Sequence, residues 1–208
     1  MALTGVVLVL FVIGHMAGNL KAFQGAEAFN HYAEGLRDFG EPFFPREGVL
    51  WIVRGVLLAS VGLHVWAAWI LSRTSHRARS VGYRKEESLA FSYASRTMRW
   101  GGVILLAFVI YHLLHFTTGR AHPDFVDGDA YHNLVVGFRN PLVVVAYLLA
   151  MTALVFHLYH GIWSGFQTLG LNHPRWNRFR RPLAAAVALA VFVGFVAVPL
   201  AVQAGVIS

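Results

Sequence analysis

With 208 residues, of which 57% are hydrophobic and 13% charged, the chain is too apolar for an ordinary soluble domain of its size. Its formal net charge of +7 lies in loops between long apolar runs, where basic residues report membrane topology, so no nucleic-acid partner is needed to explain it. The absence of cysteine excludes disulfides, covalent CxxCH haem attachment and iron–sulfur ligation by the chain's own thiolates.

The first apolar run, 2–20, lacks both a basic leader and a small-residue cleavage site, so it reads as a retained span rather than a cleaved signal. A short basic leader is expected to precede it. In the loop that follows, apolar residues recur at helical spacing from Ala26 to Phe39, which predicts a short amphipathic helix lying at the interface. Four further runs, 49–71, 98–118, 141–166 and 183–204, each reach the roughly 20 residues needed to cross a bilayer core of about 30 Å. Backbone groups in lipid must be satisfied within the segment, so all five runs are predicted helices. The expected fold is an all-α integral membrane protein, a single transmembrane domain over 1–208.

The loops orient it. Arg73, Arg77, Arg79, Arg84, Lys85, Arg96 and Arg99 lie between spans two and three, against only Glu86 and Glu87. Arg175, Arg178, Arg180 and Arg181 lie between spans four and five with no acid. The other loops hold Lys21, Arg37, Arg46, Arg120 and Arg139 among Glu27, Glu34, Asp38, Glu41, Glu47, Asp124, Asp127 and Asp129. The positive-inside rule places the N-terminus and the two basic loops in the cytoplasm and the C-terminus outside.

Six of the eleven histidines fall inside spans: His15, His64, His112, His115, His157 and His160. One intramembrane histidine can be a packing or hydrogen-bonding residue, but six across four helices point to function. At 1.5 Å rise per residue, His15 lies about 20 Å and His112 about 21 Å from the cytoplasmic starts of their spans. His64 and His157 lie about 22 and 24 Å from the outer starts of theirs. The four therefore form an outer pair and an inner pair, separated by roughly 10–15 Å. Two stacked pairs suit two bis-histidine haems, because paired neutral imidazoles fill the iron's coordination sphere and favour electron transfer over oxygen chemistry. Gly14, Gly18, Gly62, Gly161 and Gly165 flank the candidates; they offer clearance for a macrocycle, although plain helix–helix contacts use glycine too.

Two other classes compete. The doublets His112/His115 and His157/His160 resemble the histidine boxes of membrane di-iron hydroxylases, but the two doublets sit at different depths. A transporter or proton relay would draw on intramembrane acids, and the spans contain no Asp or Glu.

Four stretches taken in order, "GHMAGNLKAFQGAEAFN", "GLHVWAAW", "FVIYHLLHF" and "VFHLYHGIWSGFQTLGLN", resemble the cytochrome b membrane anchors of succinate:quinone (menaquinone) oxidoreductases and fumarate reductases, of the single-subunit, five-helix, di-haem type. The resemblance covers about residues 1–172. It implies an outer haem b on His15 and His112 and an inner haem b on His64 and His157, with spans one to four forming the haem-binding bundle. His115 and His160 become neighbours of the ligands, near a propionate or the quinone, or bonded to an adjacent helix. Arg54 and Arg99 suit haem-propionate pairing by charge and depth, and equally suit lipid headgroups. The family's quinone-site acid could be Glu34, Asp38, Glu41 or Glu47. The implied partners are an iron–sulfur subunit and a flavoprotein, which carry the iron–sulfur clusters and FAD, together with membrane quinone, expected to be menaquinone, and the lipid bilayer; a higher oligomer of the complex is compatible. The basic loops 73–99 and 175–181 would form the docking face. The chain itself would pass electrons and do no succinate chemistry, either in a succinate dehydrogenase or, in reverse, in a fumarate reductase.

Overall fold

Local capping chemistry sets where the helices begin. Asn140 accepts a hydrogen bond from the Leu142 amide at 2.9 Å, and His173 accepts one from the Arg175 amide at 3.2 Å. A proline follows each cap at the first helical position, where no backbone donor is missed. The computed structural model describes residues 1–77, 89–171 and 173–208, with side chains described outside 76–97 and 172. Among these, the elements are α1 (Ala2–Leu20), a short 3-10 turn (Lys21–Gln24), α2 (Ala26–Asp38), α3 (Gly48–Arg77), α4 (Leu89–His112), a π turn (Leu113–Thr117), α5 (Ala130–Arg139), α6 (Pro141–Thr168) and α7 (Pro174–Gln203).

Five of these helices, α1, α3, α4, α6 and α7, are long and apolar enough to cross a membrane. The protein is an all-helical, multi-pass membrane protein. The helices outrun the predicted spans at one end of the bundle: α3 continues to Arg77 and α7 starts at Pro174. Arginine-rich turns that leave the apolar layer keep their helical hydrogen bonds in water as well as in lipid. Arg79, Arg84, Lys85, Glu86 and Glu87 of the expected docking loop lie outside the described residues.

α6 is the packing centre, with α7, α4 and α1 against it. α3 lies apart from that centre and packs on α1 and α2. Among the described residues, α1 with α4 and α3 with α6 make little or no backbone contact. One core cluster joins Leu134, Val135, Phe138, Val144, Tyr147, Val198 and Val202 from α5, α6 and α7. The other joins Leu158, Ala188 and Val191, with Val9, Val12, Ile13 and Met16 of α1 packed on it. Trp51, Trp66 and Trp69 of α3 remain exposed, as expected of a lipid-facing helix with aromatic residues towards its ends.

The opposite end carries α2 and α5. The amphipathic helix predicted over 26–39 is α2. α5 was not anticipated, although Asp129, accepting from the His132 amide at 2.9 Å, is an ordinary N-cap. The Asn30 amide nitrogen donates to Asp129 Oδ1 at 2.9 Å, and Asn30 Oδ1 accepts from the Tyr131 amide at 2.9 Å. These two hydrogen bonds tie α2 to α5 across the end of the bundle.

Candidate functional site

The intramembrane histidines gather into two facing pairs. His15 on α1 and His112 at the end of α4 have ring centroids 5.7 Å apart. His64 on α3 and His157 on α6 have centroids 6.2 Å apart. Each pair joins two helices whose backbones barely touch, so the imidazoles meet between helices that do not pack on each other.

The surroundings set the ring protons. Thr4 Oγ1 donates to the Met1 carbonyl at 2.8 Å, so its oxygen accepts from His64 Nδ1 at 3.1 Å. His64 therefore carries its proton on Nδ1, which leaves the Nε2 lone pair available to a metal. The Nδ1 of His157 is buried without a hydrogen-bond partner. At the other pair, His15 stacks on Phe11 at 5.3 Å and lies 5.8 Å from Phe195. His112 Nδ1 lies 3.2 Å from the Tyr147 hydroxyl.

His115 is fully buried, 0% exposed. The chain turns by a π turn immediately after His112, a local widening that frequently marks functional positions in helices. His115 Nδ1 lies 3.0 Å from the same Tyr147 hydroxyl, and its Nε2 is buried without a partner. Its ring stacks on His122 at 5.0 Å. His122 Nδ1 accepts from the Asp124 amide at 3.1 Å, so Nε2 carries the proton and donates to the Asn133 carbonyl at 2.8 Å. Only glycine fits above this stack, because a Cβ on Gly137 would stand 2.9 Å from His115 Cε1. His160 packs on Trp163 at 5.7 Å.

These residues fit haem on three counts. Two imidazoles bound to one metal from opposite sides, at metal–nitrogen distances of about 2 Å, have centroids roughly 6 Å apart, and both pairs lie near that value. A Cβ added at Gly14, Gly62, Gly161 or Gly165 would meet nothing within 4 Å, whereas Gly18 is filled by Tyr32 and belongs to packing. The described residues contain no convergence of three or more His, Asp or Glu. Pairs are the donor set of a haem iron, while a histidine-box di-iron site gathers many more ligands in one place.

The remaining expected residues are placed as follows. Glu34, Asp38 and Glu47 lie in one ion-pair network with Arg37 and Arg46: Arg37–Glu34 is 3.0 Å, Arg37–Glu47 is 3.4 Å and Arg46–Asp38 is 3.1 Å, and Arg46 also pairs with Glu34. The Arg46 hydrogen bond, with Arg37 behind it, holds the Glu34 carboxyl below the usual carboxylate range. Glu41 is exposed and outside this network. The Arg54 guanidinium lies 4.7 Å from the Trp51 ring, and Arg99 is exposed at the arginine-bearing end. Sequence reasoning missed Thr4, Tyr147 and Arg180, the last buried on α7.

A helical membrane bundle that brings intramembrane histidines together in two facing pairs fits a class, that of the membrane cytochromes. The chain belongs to the succinate dehydrogenase/fumarate reductase transmembrane subunit family, whose sequence pattern matches residues 83–198. That match covers His112 and His157 and runs into α7, beyond the motifs legible in the sequence. It is thus the membrane subunit of an oxidoreductase complex and does no succinate chemistry itself. It is similar to the succinate dehydrogenase cytochrome b558 subunit of Bacillus subtilis (strain 168), with 26% identity over 197 residues, 92% of this chain and 87% of the relative. No solved structure is a significant match.

Proposed function

We propose that this chain is the di-haem b anchor of a succinate:quinone oxidoreductase, with His15 and His112 holding one haem and His64 and His157 the other. The observation that carries the reading is the pair of ring-to-ring histidine contacts, 5.7 and 6.2 Å, bridging helices that do not pack together. When bound, each haem iron supplies one-electron carriage by cycling between its ferrous and ferric states. The protein's part is to hold the imidazoles in place and to keep water out. Thr4 and Tyr147 fix ring orientation from behind, as hydrogen-bond partners of metal-bound histidines generally do. Phe11, Phe108, Phe116 and Phe195 surround the His15–His112 pair with apolar rings.

The arginine-bearing end faces the cytoplasm in this reading. There Arg73, Arg99, Arg175 and Arg178 receive the iron–sulfur subunit, which in turn carries the FAD-bearing flavoprotein. The end capped by α2 and α5 faces outward, and membrane quinone, menaquinone by the family pattern, meets the bundle there, near His15 and His112. Of the four candidate acids, Glu34, Asp38, Glu41 and Glu47, Glu41 alone stands outside the arginine network and is the one left to face a quinone oxygen. The name of the Bacillus relative supports succinate oxidation as the working direction.

A haem-to-protein ratio on the intact complex tests the reading. A value near two supports it, and a value near one or zero defeats the two-site assignment.

A further inference from the structure

The buried face of α7 repeats every three or four residues through Arg180, Ala184, Ala188, Val191, Gly194 and Val198. Every member is apolar or glycine except the first. Arg180 is 9% exposed, and its Nε and Nη1 are buried without a hydrogen-bond partner. Three residues earlier, Asn177 Oδ1 is likewise buried and unpartnered. Guanidinium is charged at any physiological pH, so burying it without an anion is among the costlier arrangements a membrane protein can adopt. The helices that meet around this face, α1, α6 and α7, contain no Asp or Glu.

The register of α1 and α7 shows what lies nearby. Both helices run in the same direction, and Met16 packs directly on Gly194, where a Cβ would stand 2.4 Å from the Met16 sulfur. Ala2 and Arg180 each precede that contact by 14 residues, so they share a level. Thr4, the partner of His64 Nδ1, is two residues further along α1, about 3 Å along the axis. Arg180 therefore stands just on the arginine-bearing side of the His64–His157 pair.

We propose that Arg180 is an anion-binding residue for the cofactor held by that pair, pairing with a carboxylate of its propionates, with the Asn177 carboxamide turned to assist. The inference rests on the di-haem reading above. It assigns the propionate contact at this level to α7 and adds to Arg54 and Arg99 a residue that is buried and has no counter-charge among the described residues. Guanidinium suits the role because its planar fork matches a carboxylate. A lipid phosphate would offer the same chemistry.

The test uses the membrane-assembled complex with R180Q, R180K and, as a control for charge alone, R181Q on the same turn, where the side chain is exposed. Redox titration and redox-difference infrared spectra are recorded for each. Loss of the cation disfavours the reduced, less positive haem. R180Q should therefore lower the midpoint of the His64–His157 haem and change the oxidised-to-reduced ratio about tenfold at fixed potential, 59 mV for a one-electron couple. The propionate carboxylate band should shift with it, while R181Q leaves both near wild type. An unchanged midpoint and band in R180Q, or equal shifts in R180Q and R181Q, would overturn the proposal. So would loss of bound phospholipid with the haem unaffected, which would identify a headgroup. If R180Q fails to keep the haem, R180K decides: a retained haem with a shifted carboxylate band supports the contact, and wild-type spectra refute it. A wild-type complex without a haem at this level would instead defeat the di-haem reading itself.

Discussion

The Tyr147 hydroxyl stands 3.2 Å from His112 Nδ1 and 3.0 Å from Nδ1 of its neighbour His115. One hydroxyl hydrogen cannot be donated to both. If His112 uses Nε2 for iron, its Nδ1–H donates to the Tyr147 oxygen and Tyr147 donates to His115. Donating that Nδ1–H hydrogen bond to Tyr147 makes His112 a more basic ligand and favours ferric iron. Tyr147→Phe should therefore raise the midpoint of the outer haem, by roughly 60 mV for a tenfold effect, and leave the inner one unmoved. It should also destabilise the fold by about 1–3 kcal/mol, because His115 Nδ1 is left buried and unpaired. Potentiometric titration of the two haems reads the first effect and thermal unfolding the second.

The two levels should separate genetically. His64→Ala and His157→Ala are each expected to remove the inner haem while sparing much of the outer, and His15→Ala and His112→Ala the reverse. Quantitative haem extraction with redox titration on each purified variant checks this. Loss of both haems together in every variant would break the pairing.

Much of this was readable before any coordinates. The five spans and α2 follow from hydrophobic length and helical period, and the pairing of His15 with His112 and His64 with His157 follows from depth alone. What depth cannot supply is rotation. Tyr147 lies 35 residues from His112, and nothing but the packing of α6 on α4 turns its hydroxyl towards that ring. Thr4 reads as one polar residue in an apolar run until the approach of α3 to α1 brings His64 to it. Arg180 sat within a cluster of arginines that topology already explained, and burial alone distinguishes it from Arg178 and Arg181. The outer acids show the opposite limit. Glu34, Asp38, Glu41 and Glu47 look equivalent in sequence, but the fold brings three of them onto Arg37 and Arg46.

That arginine network predicts an acid response. The Glu34 carboxyl titrates below its ordinary 4.5, chiefly because of Arg46. A depressed carboxylate adds stability above its unfolded pKa and loses it as pH falls through the lower folded value. Because Glu34 is exposed, the effect should be local and screened by salt. The protection of amides across 34–47, taken relative to the intrinsic exchange rate at each pH, should fall as pH drops below about 4.5 at low ionic strength. Glu34→Gln should show the lower protection already at neutral pH. Protection in the wild type that does not change with pH would show that the network does not hold this segment.

Gly137 offers a test that leaves every proposed ligand in place. A methyl there would lie 2.9 Å from His115 Cε1, 3.1 Å from His115 Nε2 and 3.1 Å from His122 Nε2. Both rings are held, His115 by Tyr147 and His122 by its bonds to Asp124 and Asn133. The methyl cannot be accommodated by a swing of a flexible side chain, so overpacking should cost about 1–3 kcal/mol. The displacement would run from His115 through Tyr147 to His112. Gly137→Ala should therefore perturb the outer haem's spectrum and potential while leaving the inner haem as in wild type. Gly137→Ala combined with His115→Ala should restore the outer haem towards wild type, since the smaller side chain makes room for the methyl. A double variant no better than the single would place the damage in α5 itself and not in the path to His112.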